Sequence, residues 1–154
     1  MSVVKALRFP VSVFSRGVTE TIVSAPGKPD LEIVVPPEFR GGVDGVWSSE
    51  DLLVASTASC YAVTLRAIAD RMSVPVLSFE VTGTGHVSRR DDGRYGFVAI
   101  ELDAVFETTP EFGSAAARAA ELAEERCLVS RALDIPVHVQ VDVRVAQTAD
   151  VVKV

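Results

Sequence analysis

Residues 49–69 form an apolar stretch that we predict to be a long buried helix. Ser48 or Ser49 suits the N-cap position, and Glu50 and Asp51 bring carboxylates into the first turn, where the helix dipole favours negative charge. Apolar or small residues then fall on every side of the helix. We therefore expect it to be buried all round and to form the hydrophobic axis of the fold.

Short runs of β-forming residues precede this helix. They lie at residues 11–14, 18–23 and 31–35, with turn-forming glycine and proline between them. A loop follows at residues 36–47, and it opens with two prolines and carries three glycines. Its length and glycine content suit a segment that runs close to another backbone, and such loops often line sites.

The chain after the helix predicts a long β-hairpin, a second helix and a last strand. Apolar and polar residues alternate on both sides of a turn at residues 89–94, which is typical of a hairpin. Thr109 and Pro110 then suit the N-cap and first position of an amphipathic helix. Residues 137–145 alternate strictly between valine and polar residues, so one face of this strand is expected to be exposed to solvent.

This order of elements favours an α+β fold, with an antiparallel sheet and helices packed on one face. A doubly wound parallel sheet does not fit the order. No linker divides the chain, so we expect a single domain spanning residues 1–154.

The composition of the chain limits the kinds of partner that it can bind. Hydrophobic residues make up 48% of the chain, and this excess predicts an oligomer whose partner covers apolar surface. The net charge of −6 argues against binding to nucleic acid or to an anionic membrane. Residues 1–10 lack the apolar core of a secretory signal, and no run approaches the roughly 18 to 20 apolar residues of a membrane span. We therefore expect a cytoplasmic protein.

Cys60, in the first helix, and Cys127, at the end of the second, are the two cysteines of the chain. In a reducing cytosol, a disulfide between two such cysteines is expected to be transient or catalytic rather than permanent. A thiol reacts as thiolate, and a nearby cation favours that form. The candidate cations are Arg40 on the glycine loop and Arg16 at the first β-turn, with Arg66 weaker because it lies nearly opposite Cys60 on the helix.

The segment from Glu50-Asp51-Leu52-Leu53 to Cys60, together with the later Cys127-Leu128-Val129-Ser130, resembles the OsmC/Ohr family of thiol peroxidases. The resemblance covers nearly the whole chain. It implies an intertwined homodimer in which antiparallel β-sheets pack around a long buried central helix, with active sites near the subunit interface.

The resemblance also implies roles for the site residues. Cys60 would be the peroxidatic thiolate that reduces an organic hydroperoxide, or hydrogen peroxide, and Cys127 the resolving thiol. Glu50 would orient an arginine, either Arg16 or Arg40, although Glu50 lies about 15 Å from Cys60 along an ideal helix. An external dithiol, a lipoyl protein or a thioredoxin-like donor, would reduce the disulfide, and no metal or organic cofactor is implied.

Two other functions compete with this hypothesis. One is a non-catalytic module that binds a small ligand or a protein and whose thiols are structural, since buried cysteines often act as small hydrophobes. The other is a redox sensor that forms a disulfide without turnover. His86 and His138 show no metal-ligand spacing, and the glycines of the loop do not form a phosphate-binding motif.

Overall fold

The computed structural model describes residues 6–147. The chain forms a compact N-terminal unit that ends at Leu52 and a compact C-terminal unit that begins at Leu53. The expectation of a single domain over residues 1–154 stays a prediction.

The N-terminal unit contains a three-stranded antiparallel sheet. Its strands are β1 (Ser12–Ser15), β2 (Glu20–Ser24) and β3 (Leu31–Val34), and they lie side by side in chain order. The three predicted strands are therefore confirmed, with ends that differ from the predicted ones by one or two residues. This meander forms because each connection is a short turn, which allows neighbouring strands to pair antiparallel.

The glycine loop after β3 folds back on its own unit. The Val34 N–H donates to the Trp47 carbonyl at 2.9 Å, and the Val43 N–H donates to the Val35 carbonyl at 3.0 Å. A side chain at Gly42 would overlap the carbonyl of the preceding proline pair. The predicted close approach to another backbone is confirmed, and glycine is required there because it has no Cβ.

Helix α1 (Ser49–Arg71) begins with a reciprocal cap. The Asp51 N–H donates to Ser48 Oγ at 3.0 Å, and the Ser48 N–H donates to Asp51 Oδ2 at 2.9 Å. Two of the backbone donors that a helix start leaves free are thus satisfied by side chains. The cap identifies Ser48 as the N-cap residue, one of the two predicted candidates.

From Leu53 onward α1 belongs to the C-terminal unit and contributes to its core, but it is not buried on every side as predicted. Its buried residues follow one stripe at helical spacing: Thr57, Tyr61, Leu65, Ile68 and Ala69. Val63, on another side, is 64% exposed. Small and apolar residues surround the helix in sequence, so the pattern could not show which stripe packs inward.

The apolar character of α1 bears on the expectation that the chain has no membrane span. Among the described residues, this helix is long and apolar enough to cross a membrane by length and composition. Its buried stripe nevertheless packs with the sheet and second helix of the C-terminal unit. We therefore identify α1 as the core helix of this fold.

The C-terminal unit has a second three-stranded sheet with mixed pairing. Strands β4 (Ser78–Arg89) and β5 (Tyr95–Thr108) form the predicted antiparallel hairpin. Strand β6 (Val137–Val145) pairs with β5 in parallel, so the expectation of an all-antiparallel sheet is wrong here. The reason is helix α2 (Gly113–Arg126), which carries the chain back between β5 and β6 as a crossover requires.

The core of this unit lies between the inner face of β5 and the two helices. The buried residues of β5 alternate along the strand, as predicted: Ile100, Leu102, Ala104 and Phe106. The buried face of α2 consists of alanines, so this helix packs closely: Ala116, Ala119, Ala120 and Ala123. Phe79 of β4 meets Phe106 edge to face, with ring centroids 6.0 Å apart.

Two glycines of β4 let α1 approach the sheet. A Cβ built at Gly83 would lie 2.9 Å from Val54 Cγ1. A Cβ at Gly85 would lie 2.6 Å from both Val54 Cγ2 and Phe97 Cε1. Larger residues would push the helix away from the strand, and the helix segment that leads to Cys60 would move with it.

We predict that Gly85→Ala destabilises the protein by about 1–3 kcal/mol, because the added methyl overpacks the contact between α1 and β4. Urea unfolding at fixed protein concentration measures this change. The matched control is Gly17→Ala, where no atom lies within 4 Å of the added Cβ. Equal midpoints for the two variants would contradict the proposed tight packing.

Candidate functional site

Cys127 lies at the end of α2 and is fully buried. It ends the helix because its backbone is extended, with φ −62° and ψ 112°. Two turn residues and a 3₁₀ turn, Ser130–Ala132, follow it. The Ser130 hydroxyl donates a hydrogen bond to the Cys127 sulfur at 3.2 Å.

Cys60 lies on α1 and is partly exposed. The fold of the C-terminal unit brings it beside Cys127, so the predicted meeting of the two cysteines is confirmed. Both thiols are free in the structure. A partly exposed thiol next to a buried one is an arrangement in which the first can meet a reagent and the second can react with it afterwards.

The surroundings of Cys60 favour its thiolate. Burial raises the pKa of this thiol, but hydrogen bonds act in the opposite direction and outweigh it, so the pKa is lowered from its ordinary value of 9.0. The donors are the backbone N–H of Val129, the Cys127 thiol, the backbone N–H of Leu128 and the Thr64 hydroxyl. Each of them stabilises the charged form of Cys60 more than the neutral form.

The turn after Cys127 therefore has two functions at this site. It places the second thiol, and its amides at residues 128 and 129 stabilise the first. Sequence analysis missed these donors because backbone groups leave no residue signature. Thr64 could have been found, since it lies one helical turn after Cys60 and residues at that spacing are neighbours.

Tyr61 is a second feature that sequence analysis did not single out. Its ring is fully buried, and its hydroxyl has no hydrogen-bond partner within the described residues. Burial is the main cause that raises the pKa of Tyr61 to about 12, and electrostatic repulsion from Glu124 and Cys127 adds to it. The phenol consequently stays protonated at neutral pH and cannot serve as a base.

The predicted carboxylate and arginines lie in the N-terminal unit. Glu50 stands in the first turn of α1 and helps to line a cleft of about 210 Å³ between the sheet, the loop and the helix start. Arg16 follows β1, and its N–H donates to the Glu20 carbonyl at 2.9 Å. Arg40 lies on the loop, and both arginines are exposed. Their roles toward Cys60 stay predictions.

His86 lies beside a carboxylate on the surface of the C-terminal sheet. His86 Nε2 lies 3.1 Å from Glu101 Oε2 on the neighbouring strand, and both side chains are exposed. Across residues 6–147, no group of three or more His, Cys, Asp or Glu side chains is arranged to hold a metal ion.

Comparison with known proteins places this arrangement in context. The model of the family described as OsmC-like protein matches residues 42–142. No curated protein matches the chain in sequence. An OsmC-like protein of unknown function from Vibrio cholerae has a similar structure, with a TM-score of 0.81 at 14% identity, over 89% of this chain and 100% of that one.

Two further solved structures carry functional names. An organic hydroperoxide resistance protein from Elizabethkingia anophelis gives a TM-score of 0.74 at 19% identity, over 95% of this chain and 100% of that one. Another from Legionella pneumophila gives 0.72 at 23% identity, over 92% of this chain and 100% of that one. At these identities the likeness establishes the fold, which is the predicted α+β OsmC-like fold.

We predict that Thr64→Val raises the pKa of Cys60, because it removes one donor to the thiolate and keeps the shape of the side chain. At neutral pH less thiolate is present, so alkylation of Cys60 slows about two- to fivefold. At pH values where Cys60 is fully ionised in both proteins, the two rates converge. Alkylation by iodoacetamide, followed by mass spectrometry of the Cys60 peptide across pH, measures this.

The matched control is Ser56→Ala, one turn before Cys60. Its hydroxyl donates to the Leu53 carbonyl at 2.9 Å and is exposed. This variant keeps the wild-type pH profile. A profile for Thr64→Val that coincides with the control excludes the threonine as a donor.

Proposed function

The chain belongs to the OsmC-like family, and on that premise we propose that it is a cysteine-based peroxidase that reduces organic hydroperoxides. Cys60 is the peroxidatic residue and Cys127 the resolving residue. The observation that carries the proposal is the pairing of a partly exposed thiol of lowered pKa with a buried second thiol beside it. Structural cysteines have no need of donors that favour the thiolate.

The proposed cycle has three steps. The Cys60 thiolate attacks the terminal oxygen of the hydroperoxide, the O–O bond breaks, and an alkoxide leaves and takes up a proton to form the alcohol. Cys60 is then a sulfenic acid. The Cys127 sulfur attacks the Cys60 sulfur, a disulfide forms and water leaves. An external dithiol, from a lipoyl protein or a thioredoxin-like protein, reduces the disulfide by exchange.

The N-terminal unit supplies the proposed remaining groups. An arginine, Arg16 or Arg40, assists Cys60, and Glu50 orients it. Glu50 lines a cleft whose walls also include Val18, Ile33 and Phe39, and this position supports a carboxylate that holds a cation beside an apolar substrate. A guanidinium near the peroxide stabilises the negative charge that passes from sulfur to the departing oxygen.

We further propose a cytoplasmic homodimer. Large apolar side chains are exposed on the single chain, including Val13 and Phe14 on β1 and Val63 on α1. A second copy that covers such residues would remove apolar surface from water. The acidic charge of the chain supports a protein without a nucleic-acid or membrane partner.

We predict that the reduced wild-type protein consumes cumene hydroperoxide in the presence of a dithiol, and that Cys60→Ser abolishes this consumption. In Cys127→Ser the first step survives because Cys60 keeps its backbone donors, but the sulfenic acid persists and is captured by dimedone. Peroxide loss and intact-mass spectrometry measure both effects. Leu128→Ala, which keeps its backbone N–H, serves as the control that retains turnover.

The alternatives give different results in the same assay. A binding module leaves the peroxide untouched, and wild type and Cys60→Ser are then equally inert. A redox sensor forms the disulfide once but does not sustain consumption when the dithiol is present. Either result would exclude the peroxidase.

We predict that replacing the assisting arginine by glutamine slows the peroxide step by about 10²-fold, the loss expected for a donor to developing negative charge. Arg16→Gln and Arg40→Gln are compared by single-turnover oxidation of Cys60. One variant shows the loss and the other serves as its matched control. Wild-type rates in both would remove the arginine from the proposal.

A further inference from the structure

We propose that Ser130 is a positioning residue for the resolving step: its hydroxyl holds the Cys127 sulfur in the orientation from which that sulfur attacks Cys60. The inference rests on the proposed function and adds a group that acts on the second thiol. Ser130 does not touch the substrate, and it acts through Cys127.

The geometry of the turn supports this role. The Ser130 Oγ to Cys127 Sγ distance is 3.2 Å, within the range of a hydrogen bond to sulfur, and the pair is partly buried. Backbone bonds hold the turn on both sides, from the Arg131 N–H to the Cys127 carbonyl at 3.2 Å and from the Leu133 N–H to the Ser130 carbonyl at 3.3 Å. The hydroxyl is therefore presented by a fixed backbone.

The direction of the hydrogen bonds also supports it. The Ser130 hydroxyl donates to the Cys127 sulfur, and Cys127 lies beside Cys60 and helps to lower the pKa of that thiol. A sulfur that is held by a donor on one side and faces its reaction partner on the other has a defined orientation. Without the hydroxyl, the thiol of a buried cysteine is free to turn toward other rotamers.

The chemistry of resolution needs such a donor. Cys127 gives up its proton as its sulfur bonds to the Cys60 sulfur, and the hydroxide displaced from the sulfenic acid takes that proton and leaves as water. Negative charge develops on the Cys127 sulfur during this step. A hydroxyl that donates to the sulfur stabilises this charge, and the buried position of Cys127 strengthens the interaction.

An exchange reaction tests the inference without a peroxide. Reduced protein is mixed with dithiodipyridine, an aromatic disulfide that releases one coloured thiopyridone when the Cys60 thiolate attacks it. Cys127 then attacks the mixed disulfide on Cys60, forms the intramolecular disulfide and releases a second thiopyridone and a proton. The rate of the second release measures attack by Cys127.

We expect Ser130→Ala to slow the second release about tenfold, and the first release by no more than about threefold, since the remaining donors to Cys60 stay in place. Ser130→Thr keeps a hydroxyl at the same position and restores the second release. Ser59→Ala is the matched control, because the Ser59 hydroxyl donates to the Ser56 carbonyl at 3.2 Å and is exposed although it is next to Cys60.

Three results would overturn the inference. The first is a rate of second release in Ser130→Ala within twofold of the wild-type rate. The second is a second release in Ser130→Thr that is slowed as much as in Ser130→Ala. The third is a loss of both releases in Ser130→Ala, because the serine would then only maintain the turn. Failure of the proposed function appears separately, as absence of hydroperoxide consumption by wild type. The exchange reagent reacts with the two thiols whatever the natural substrate is.

Discussion

The stabilisation of one sulfur by the turn that follows the other is the interaction on which this site depends. Burial by itself raises the pKa of Cys60 and would favour the less reactive neutral thiol. Hydrogen bonds from the Val129 amide, the Cys127 thiol, the Leu128 amide and the Thr64 hydroxyl together outweigh that effect. The two amides are available because α2 ends at Cys127 with an extended backbone. The same helix end thus sets both the reactivity of the first thiol and the position of the second.

Close packing in the C-terminal unit makes this arrangement possible. Gly83 and Gly85 bring α1 close to β4, and the alanine face of α2 packs into the same core. Hydrogen bonds to a thiolate weaken steeply with distance and angle, so a small displacement of either helix would remove them. Small residues at these contacts therefore contribute to chemistry as well as to stability, because they fix the separation of the elements that carry the sulfurs.

Much of this structure could be predicted from the sequence, because local patterns determine it. The valine alternation of β6, the hairpin of β4 and β5, and the cap at Ser48 each follow from short-range rules. The parallel pairing of β6 could not be predicted, since alternation is the same in either direction. At the site, the two cysteines and Thr64 are visible as residue types, whereas the amides at residues 128 and 129 depend on where a turn meets a helix.

The donors that activate Cys60 also bear on how the proposed cycle closes. They act on a negatively charged sulfur, and a sulfur in a disulfide carries no such charge, so they stabilise the reduced protein relative to the oxidised one. Stabilising the reduced form makes a disulfide more oxidising and easier for an external dithiol to reduce. The interactions that speed attack on the peroxide therefore also favour regeneration of the thiols, and a peroxidase needs both for turnover.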